Sequence, residues 1–412
     1  MKPRNILLIS ILLASLLVIS GCTAVNSQSS SATSSTSGTA TTTTDSASEF
    51  QLIQQAWNLT QQYYVDRTAV QPQRLAYDTI AGMIDSLGDT GHSTFLTPEQ
   101  VRQENDFTQG KLEGIGVEVQ WKNNSVVIMA PIAGSPAQKA GLVSGDIILK
   151  VDGQPITDLT DAVTRILGPA GTSVTLTIQD VSGVTRDVTI VRATINLTSV
   201  SWSQLPGTTI AHLRISSFIQ GTSNELDNAL TAIKAQGDTG IILDLRDNPG
   251  GLVDEAVAVA SRFLKTGNVL LEKDVKGNVT SVPVVHGVTV VDLPLAVLIN
   301  QGTASAAEIV AGALQDSSRA KLVGETTFGT GTVLEQFALS DGSALLLAVE
   351  EWLTPSGKTI WHVGLTPDEV IPLATGVTLL FPEAEQGMTS AQLQASGDDQ
   401  LLGALNLLPS SK

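Results

Sequence analysis

The chain has 412 residues, 42% of them hydrophobic, and a formal net charge of −17. That length exceeds one ordinary domain and offers apolar material for two or three cores, while the acidic balance repels polyphosphate and excludes nucleic acid as a partner. A single cysteine, Cys22, rules out an internal disulfide, and His92, His212, His286 and His362 show no ligand spacing, so neither a metal nor another cofactor is expected.

Lys2 and Arg4 precede an apolar run from Ile6 to Ile19, followed by Ile19-Ser20-Gly21-Cys22. The run is short for a membrane span and has the flanks of a secretory signal. The stretch resembles a bacterial lipobox, which implies cleavage before Cys22, a lipid on its thiol and attachment to a membrane. Residues 1–22 are therefore read as a lipoprotein signal peptide, placing the rest in the periplasm or on the outer face of the cell membrane. Residues 23–48 are rich in Ser and Thr and read as a flexible tether.

Residues 49–110 form a predicted helical region. Leu52, Ile53, Ala56, Trp57, Leu59 and Tyr63 recur at helical spacing, a second helix runs from Leu75 to Leu87, and Thr97-Pro98-Glu99 starts a third. From 111 to 194 the pattern changes to short strands at Val117–Val119, Val126–Met129, Ile147–Val151, Val174–Ile178 and Val188–Val191. A brief helix is expected at Pro136–Ala140 and another at Asp158–Leu167. Gly114-Ile115-Gly116-Val117, Ser135-Pro136-Ala137 through Gly141-Leu142, and Gly145-Asp146-Ile147-Ile148 with Val151-Asp152-Gly153 together resemble a PDZ domain. The resemblance implies that Gly114, Ile115, Gly116 and Val117 receive the carboxylate of a peptide C-terminus while that peptide adds a strand.

Residues 195–380 alternate strand and helix. Thr209–Ile215, Thr239–Leu245, Leu295–Ile299 and Lys321–Val323 read as strands, and Ser223–Gln236, Leu252–Leu264 and Ser305–Leu314 as helices, which points to a sheet covered by helices. Residues 381–412 read as a Gln/Ser-rich tail without assigned structure. In Asn300-Gln301-Gly302-Thr303-Ala304-Ser305-Ala306-Ala307-Glu308 a buried strand turns directly into a helix. A serine at that junction sits beside unpaired N–H groups of the helix start, which suit the oxyanion of an acyl-transfer intermediate. Taken alone, Ser305 reads first as a helix N-cap. Leu243 to Leu252 form a second strand-to-helix turn, whose Gly250 and Gly251 allow backbone N–H groups to approach a ligand.

With Gly324-Glu325-Thr326-Thr327-Phe328-Gly329, Leu353-Thr354-Pro355-Ser356-Gly357 and Gly364-Leu365-Thr366-Pro367-Asp368, these turns resemble the catalytic domain of carboxyl-terminal processing, or tail-specific, serine proteases, peptidase family S41. The resemblance spans roughly residues 50 to 375 and implies a multidomain α+β chain: a helical region, a β-rich PDZ domain and an α/β (ClpP/crotonase-like) catalytic domain. It further implies Ser305 as nucleophile, with the N–H groups of Gly251 and Ala306 as oxyanion hole. Substrates would be proteins or peptides with free, apolar C-termini.

One position departs from the family. The lysine expected 25 residues after the nucleophile, inside Gly-Lys-Gly, is Thr330 between Gly329 and Gly331, and the family's nearby glutamine is Leu334, with Glu335 and Gln336 out of step. A threonine hydroxyl accepts no proton at neutral pH. Either another base serves Ser305, or the chain is a pseudo-protease that binds C-termini without cleaving them. His92 is the first candidate, because the related tricorn protease takes a histidine from just before its PDZ domain, and imidazole titrates in the right range. His362 is the second. Lys321 and Lys358 read as surface lysines.

Overall fold

A computed structural model describes residues 46–89, 93–122, 125–132, 134–374 and 377–409. Cys22 and His92 lie outside the described residues. Among those described, no helix is long and apolar enough to cross a membrane. Chain contacts divide them into two units that part after Asp89. The first holds the helices Ser46–Tyr63 and Pro72–Asp85, the latter opened by Pro72, whose missing N–H costs nothing in a first turn.

The second unit begins with a strand inside the region read as helical. Thr94–Leu96 pairs antiparallel with Ala344–Leu346, and Ser93 Oγ accepts the Ala348 N–H at 3.0 Å, so backbone pairing commits this segment to the catalytic part of the chain. Helix Pro98–Thr108 follows, set by a capping box: Thr97 Oγ1 accepts from Gln100 N at 3.3 Å and Gln100 Oε1 from Thr97 N at 2.9 Å.

The β-rich domain is entered and left through one antiparallel pair, Lys111–Gly114 with Ala193–Asn196. Its sheet runs Val117–Lys122, Ser125–Pro131, Ile147–Val151, Ser173–Gln179, Thr185–Val191, with Gln154–Pro155 beside the third of these. Ile128, Val151, Leu176 and Ile178 fill the core, closed by helix Leu159–Ile166. Buried Arg192 caps that helix, donating from Nε to the Ile166 carbonyl and from Nη2 to the Arg165 carbonyl, both at 2.8 Å.

The α/β part is built on a six-stranded sheet ordered Val200–Gln204, Ile210–Ile215, Gly240–Asp244, Leu295–Ile299, Lys321–Gly324, Glu369–Val370. The first pair is antiparallel and the rest parallel. Strands buried on both faces read as continuous apolar runs. Ala211, Leu213, Ile241, Leu243, Val297 and Ile299 point to a core roofed by the helices Thr222–Gln236, Val253–Ser261 and Ala306–Asp316. Ile242, Ala296, Leu298 and Val323 point the other way. The segment read as an unassigned tail covers that second face: helices Ser390–Gln394 and Asp399–Leu407 bring Leu393, Leu401 and Ala404 onto it. A second sheet combines Thr94–Leu96, Ala344–Leu353, Asn268–Lys273 and Val279–Pro283, with Thr332–Ala338 on Ala344–Leu353.

Candidate active site

Adjacent parallel strands Gly240–Asp244 and Leu295–Ile299 end side by side, and each turns sharply at its carboxyl end, where open α/β sheets place their ligands. Polar contacts lace the two turns together. Asp247 N donates to Asn300 Oδ1 and Asn300 Nδ2 to Asp247 Oδ1, both at 2.9 Å, and Thr303 Oγ1 donates to the Leu245 carbonyl at 2.8 Å. Ala304 N reaches the Asn248 carbonyl at 2.9 Å, while Asn248 spans from the Ile215 carbonyl to the Gly250 N–H.

Ser305 ends the second turn at φ 52° and ψ −122°, immediately before helix Ala306–Asp316. A side chain rarely adopts such a positive φ, and the strain marks a site whose surroundings over-determine it. Gly250 packs against this junction so closely that a Cβ there would come within 2.6 Å of Ser305 Cβ and 2.8 Å of Ala306 N. Gly251, at φ 132°, leaves room for nothing more: its Cβ would meet the Phe218 carbonyl oxygen at 2.2 Å. Phe218 N donates to the Gly250 carbonyl and Leu252 N to the Phe218 carbonyl, so the strand edge takes the groups on either side of Gly251. Among the described residues no acceptor takes the N–H of Gly251 or of Ala306. Two free donors beside a strained serine are an arrangement able to hold an oxyanion.

Thr330 stands directly behind this serine. Its Oγ1 accepts the Ser305 N–H at 3.1 Å, and the side chain is buried. Glu308, fully buried one helical turn after Ser305, ties the two together: its carboxylate accepts from Ser305 N and Thr330 N at 2.9 Å each, from Gly329 N at 2.8 Å and from Thr327 Oγ1. Burial pushes the Glu308 carboxyl up, against those four donors. In the sequence, Ser-x-x-Glu before an apolar run is the capping-box signal that marks Glu308.

Ser305 and Thr330 share the lining of a cavity of about 380 Å³ with Gly250, Gly251, Thr94 and Leu167. Its apolar wall includes Leu334, which stands where the family's glutamine was expected, whereas Glu335 and Gln336 are exposed and outside it. His362 does not line this cavity. It is exposed, stacks on Trp361 at 4.9 Å, and its main-chain N–H donates to the Gly329 carbonyl. Lys321 and Lys358 are surface lysines that pair with Glu369 at 3.4 Å and Asp316 at 2.9 Å. Among the described residues no cluster of His, Cys, Asp and Glu could hold a metal ion.

In the β-rich domain, Ile115 is buried with its carbonyl taken by Ala137 N at 2.8 Å, and Gly116, at φ 73°, gives its carbonyl to Ile132 N at 3.0 Å. Among the described residues no acceptor takes the N–H of either. Gly114 ends the strand before them and Val117 starts the strand after.

A strained serine beside N–H donors that no described acceptor takes, on an α/β sheet joined to a β-rich domain, defines a class: the serine peptidases. Comparison with known proteins gives the family. A family model for peptidase family S41 matches residues 209–371 and one for the PDZ domain matches 127–180. The chain is 36% identical over 341 residues to the carboxy-terminal processing protease CtpA of Bacillus subtilis, covering 82% of this chain and 72% of that one. It is 36% identical over 386 residues to the carboxyl-terminal-processing protease of Synechocystis, covering 87% of each. Among solved structures, a photosystem II D1 C-terminal processing protease superimposes with TM-score 0.51 at 30% identity over 79% of this chain and 93% of that one. The chain belongs to peptidase family S41, the carboxy-terminal processing proteases, as a serine peptidase with a PDZ domain ahead of its α/β domain.

Proposed function

We propose that the chain is an endopeptidase that cleaves extracytoplasmic proteins or peptides selected by their free, apolar C-termini, with Ser305 as nucleophile. The observation that carries this reading is Ser305 itself, held at positive φ beside two N–H groups that no acceptor takes among the described residues. Ser305 Oγ attacks the scissile carbonyl, the oxygen takes up the negative charge between the N–H groups of Gly251 and Ala306, and the acyl–enzyme ester is then hydrolysed by water. The free N–H groups of Ile115 and Gly116 support a role for Gly114 to Val117 in receiving the terminal carboxylate.

The base in this reading is His92. Supporting it, Thr94, two residues on, lines the Ser305 cavity, and Ser93 is tied to the sheet beside it. Neutral imidazole takes the serine proton and later gives it to the departing amine. A lipid on Cys22 would hold the enzyme on the membrane through the 23–48 tether, and Cys22→Ala is expected to release it into the soluble fraction.

The test compares soluble chain from residue 46 with its Ser305→Ala and His92→Ala variants on unstructured substrates with apolar C-termini. Both variants are expected to lose at least about 10³-fold in turnover while binding C-terminal peptides unchanged, and wild-type activity is expected to fall below roughly pH 6.5 as imidazole protonates. Retained turnover in Ser305→Ala overturns the nucleophile. Peptide binding without cleavage by the wild type selects the second reading, a PDZ binding protein, which the threonine at 330 favours.

A further inference from the structure

The turn that offers the Gly251 N–H is preceded by Arg246, whose guanidinium is completely buried. Such a charge stays inside a protein only when every donor is met. Two of its three nitrogens go to the strand it leaves: Nε lies 3.0 Å from both oxygens of Asp244, and Nη2 lies 2.6 Å from Asp244 Oδ2. The third is met from far along the chain. Nη1 donates to both oxygens of Asp398 at 2.9 Å and to Gln400 Oε1 at 3.3 Å, and Nη2 also reaches the Leu380 carbonyl at 3.2 Å.

Asp398 is itself fixed. It is fully buried, its oxygens accept the main-chain N–H groups of Leu380 and Leu401 at 3.0 Å each, and Gln400 Nε2 holds the Ile371 carbonyl at 2.9 Å. The match to the family model ends at residue 371, so these partners come from beyond the matched residues.

We propose that Asp398 is a positioning residue for the oxyanion turn: by fixing Arg246 from the sheet's second face, it sets the path of Asp247 to Gly251 and hence the aim of the Gly251 N–H. The route is short. Arg246 N donates to Asp244 Oδ1 at 2.9 Å, and the next residue, Asp247, is held at φ 55°, a conformation an aspartate leaves readily once its neighbours relax. A guanidinium whose Nη1 keeps only the 3.3 Å contact to Gln400 turns toward other acceptors or water, and the backbone at 246 moves with it. The inference rests on the assignment of Ser305 and Gly251 above, and goes beyond it in bringing the C-terminal segment into the site.

The experiment uses the full folded chain without its signal and tether, as wild type, Asp398→Asn and Ser305→Ala. In Asp398→Asn, kcat is expected to fall about 10- to 100-fold with KM within twofold, because a misaimed donor weakens the transition state and leaves ground-state binding alone. Affinity for a peptide aldehyde, whose serine adduct carries the oxyanion, should fall by the same factor, and amide hydrogen exchange across residues 245–253 should speed up at least tenfold while residues 295–299 keep their protection. Wild-type kcat, aldehyde affinity and exchange in Asp398→Asn, with only a lowered melting temperature, would make Asp398 a purely structural residue and overturn the proposal. If Ser305→Ala stays active, the nucleophile assignment fails instead, and the exchange measurement still decides whether Asp398 holds the turn. Should Asp398→Asn not fold, Gln400→Leu, which removes the 3.3 Å contact, carries the same measurements with a smaller expected change of about threefold in kcat.

Discussion

The two faces of the six-stranded sheet are made by the same strands and solved by opposite chemistry. On one face Leu213, Leu243 and Val297 meet three helices whose buried side chains are mostly apolar, and hydrophobic burial is the main force that holds them. On the other, His212 and Asp244 project from neighbouring strands, joined by Arg246 just beyond the second. All three are fully buried, and they are matched by Glu385 and Asp398 from the C-terminal segment. His212 Nδ1 lies 2.6 Å from Glu385 Oε1 and its Nε2 3.1 Å from Asp244 Oδ2. Burial works against charge on the imidazole, but the hydrogen bonds from Asp244 and Glu385 override it and push the His212 pKa up to about 9. Burial likewise opposes ionisation of Asp244, yet Arg246 and His212 hold it well below the carboxylate range. The difference teaches that an apolar face tolerates approximate partners, whereas a charged one needs named residues from a named segment.

Paired substitutions at adjacent residues test this most strongly. Asp244→Ala removes the carboxylate that buried Arg246 and His212 share, leaving them only Asp398 and Glu385, and is expected to cost about 3–5 kcal/mol. Leu243→Ala, its neighbour on the apolar face, is expected to cost about 2–4 kcal/mol through the cavity it leaves. Urea denaturation at pH 7 reads both, and only Asp244→Ala should also loosen residues 377–409 in hydrogen exchange.

Gly251→Ala probes the turn between the faces. Its Cβ would collide with the Phe218 carbonyl at 2.2 Å, and the displaced N–H should lower kcat by about 10²- to 10³-fold. An equal fall in Ser305-dependent and background turnover would sever the link between this glycine and the chemistry.

The faces should also part in their response to pH. The folded His212 pKa, about 9, lies above the ordinary imidazole value of about 6.5, so its contribution to stability is complete below about pH 6.5, shrinks as pH rises and is gone above about pH 9. The melting temperature is expected to fall across that window in the wild type and to be flatter there in His212→Gln. Thr330→Lys carries the smallest expected change. It places an amine in the cavity beside Ser305 and should raise turnover several-fold at pH 9 relative to pH 7, since a lysine base must lose its proton first. No change at either pH would mean that the amine does not reach the serine.

Much of the fold is legible residue by residue. Leu295–Ile299 and Ile147–Val151 were read at their observed ends, because each is an apolar run bounded by turn residues. Val200–Gln204, Thr332–Ala338 and Ala344–Leu353 are not among the strands expected from sequence, although Val200-Ser201-Trp202-Ser203 alternates and Ala344 to Val349 is an unbroken apolar run; what no local pattern gives is their partners, which lie elsewhere in the chain. In the site, Ser305, Gly250 and Gly251 were visible from turn chemistry, and the spacing from Ser305 to Thr330 marked the place of the missing lysine. Glu308 is only part of a motif in the sequence, since its carboxylate acquires meaning only when Gly329 and Thr330 fold onto it.

What the sequence determined by itself is therefore what depends on neighbours along the chain: the alternation that builds the sheet, the strand-to-helix turn that exposes Ser305, and the glycines that let two turns touch. What only the tertiary structure decided is what depends on distant partners. The C-terminal segment carries Leu401, Leu402, Ala404 and Leu405, but nothing local says which face they cover, and its Asp398 is one acidic residue among 40 Asp and Glu until Arg246, 152 positions earlier, is found 2.9 Å away. A hydrophobic face is written as a pattern, because any apolar contact serves it; a buried ion pair is not, because its energy exists only once both charges have left water together.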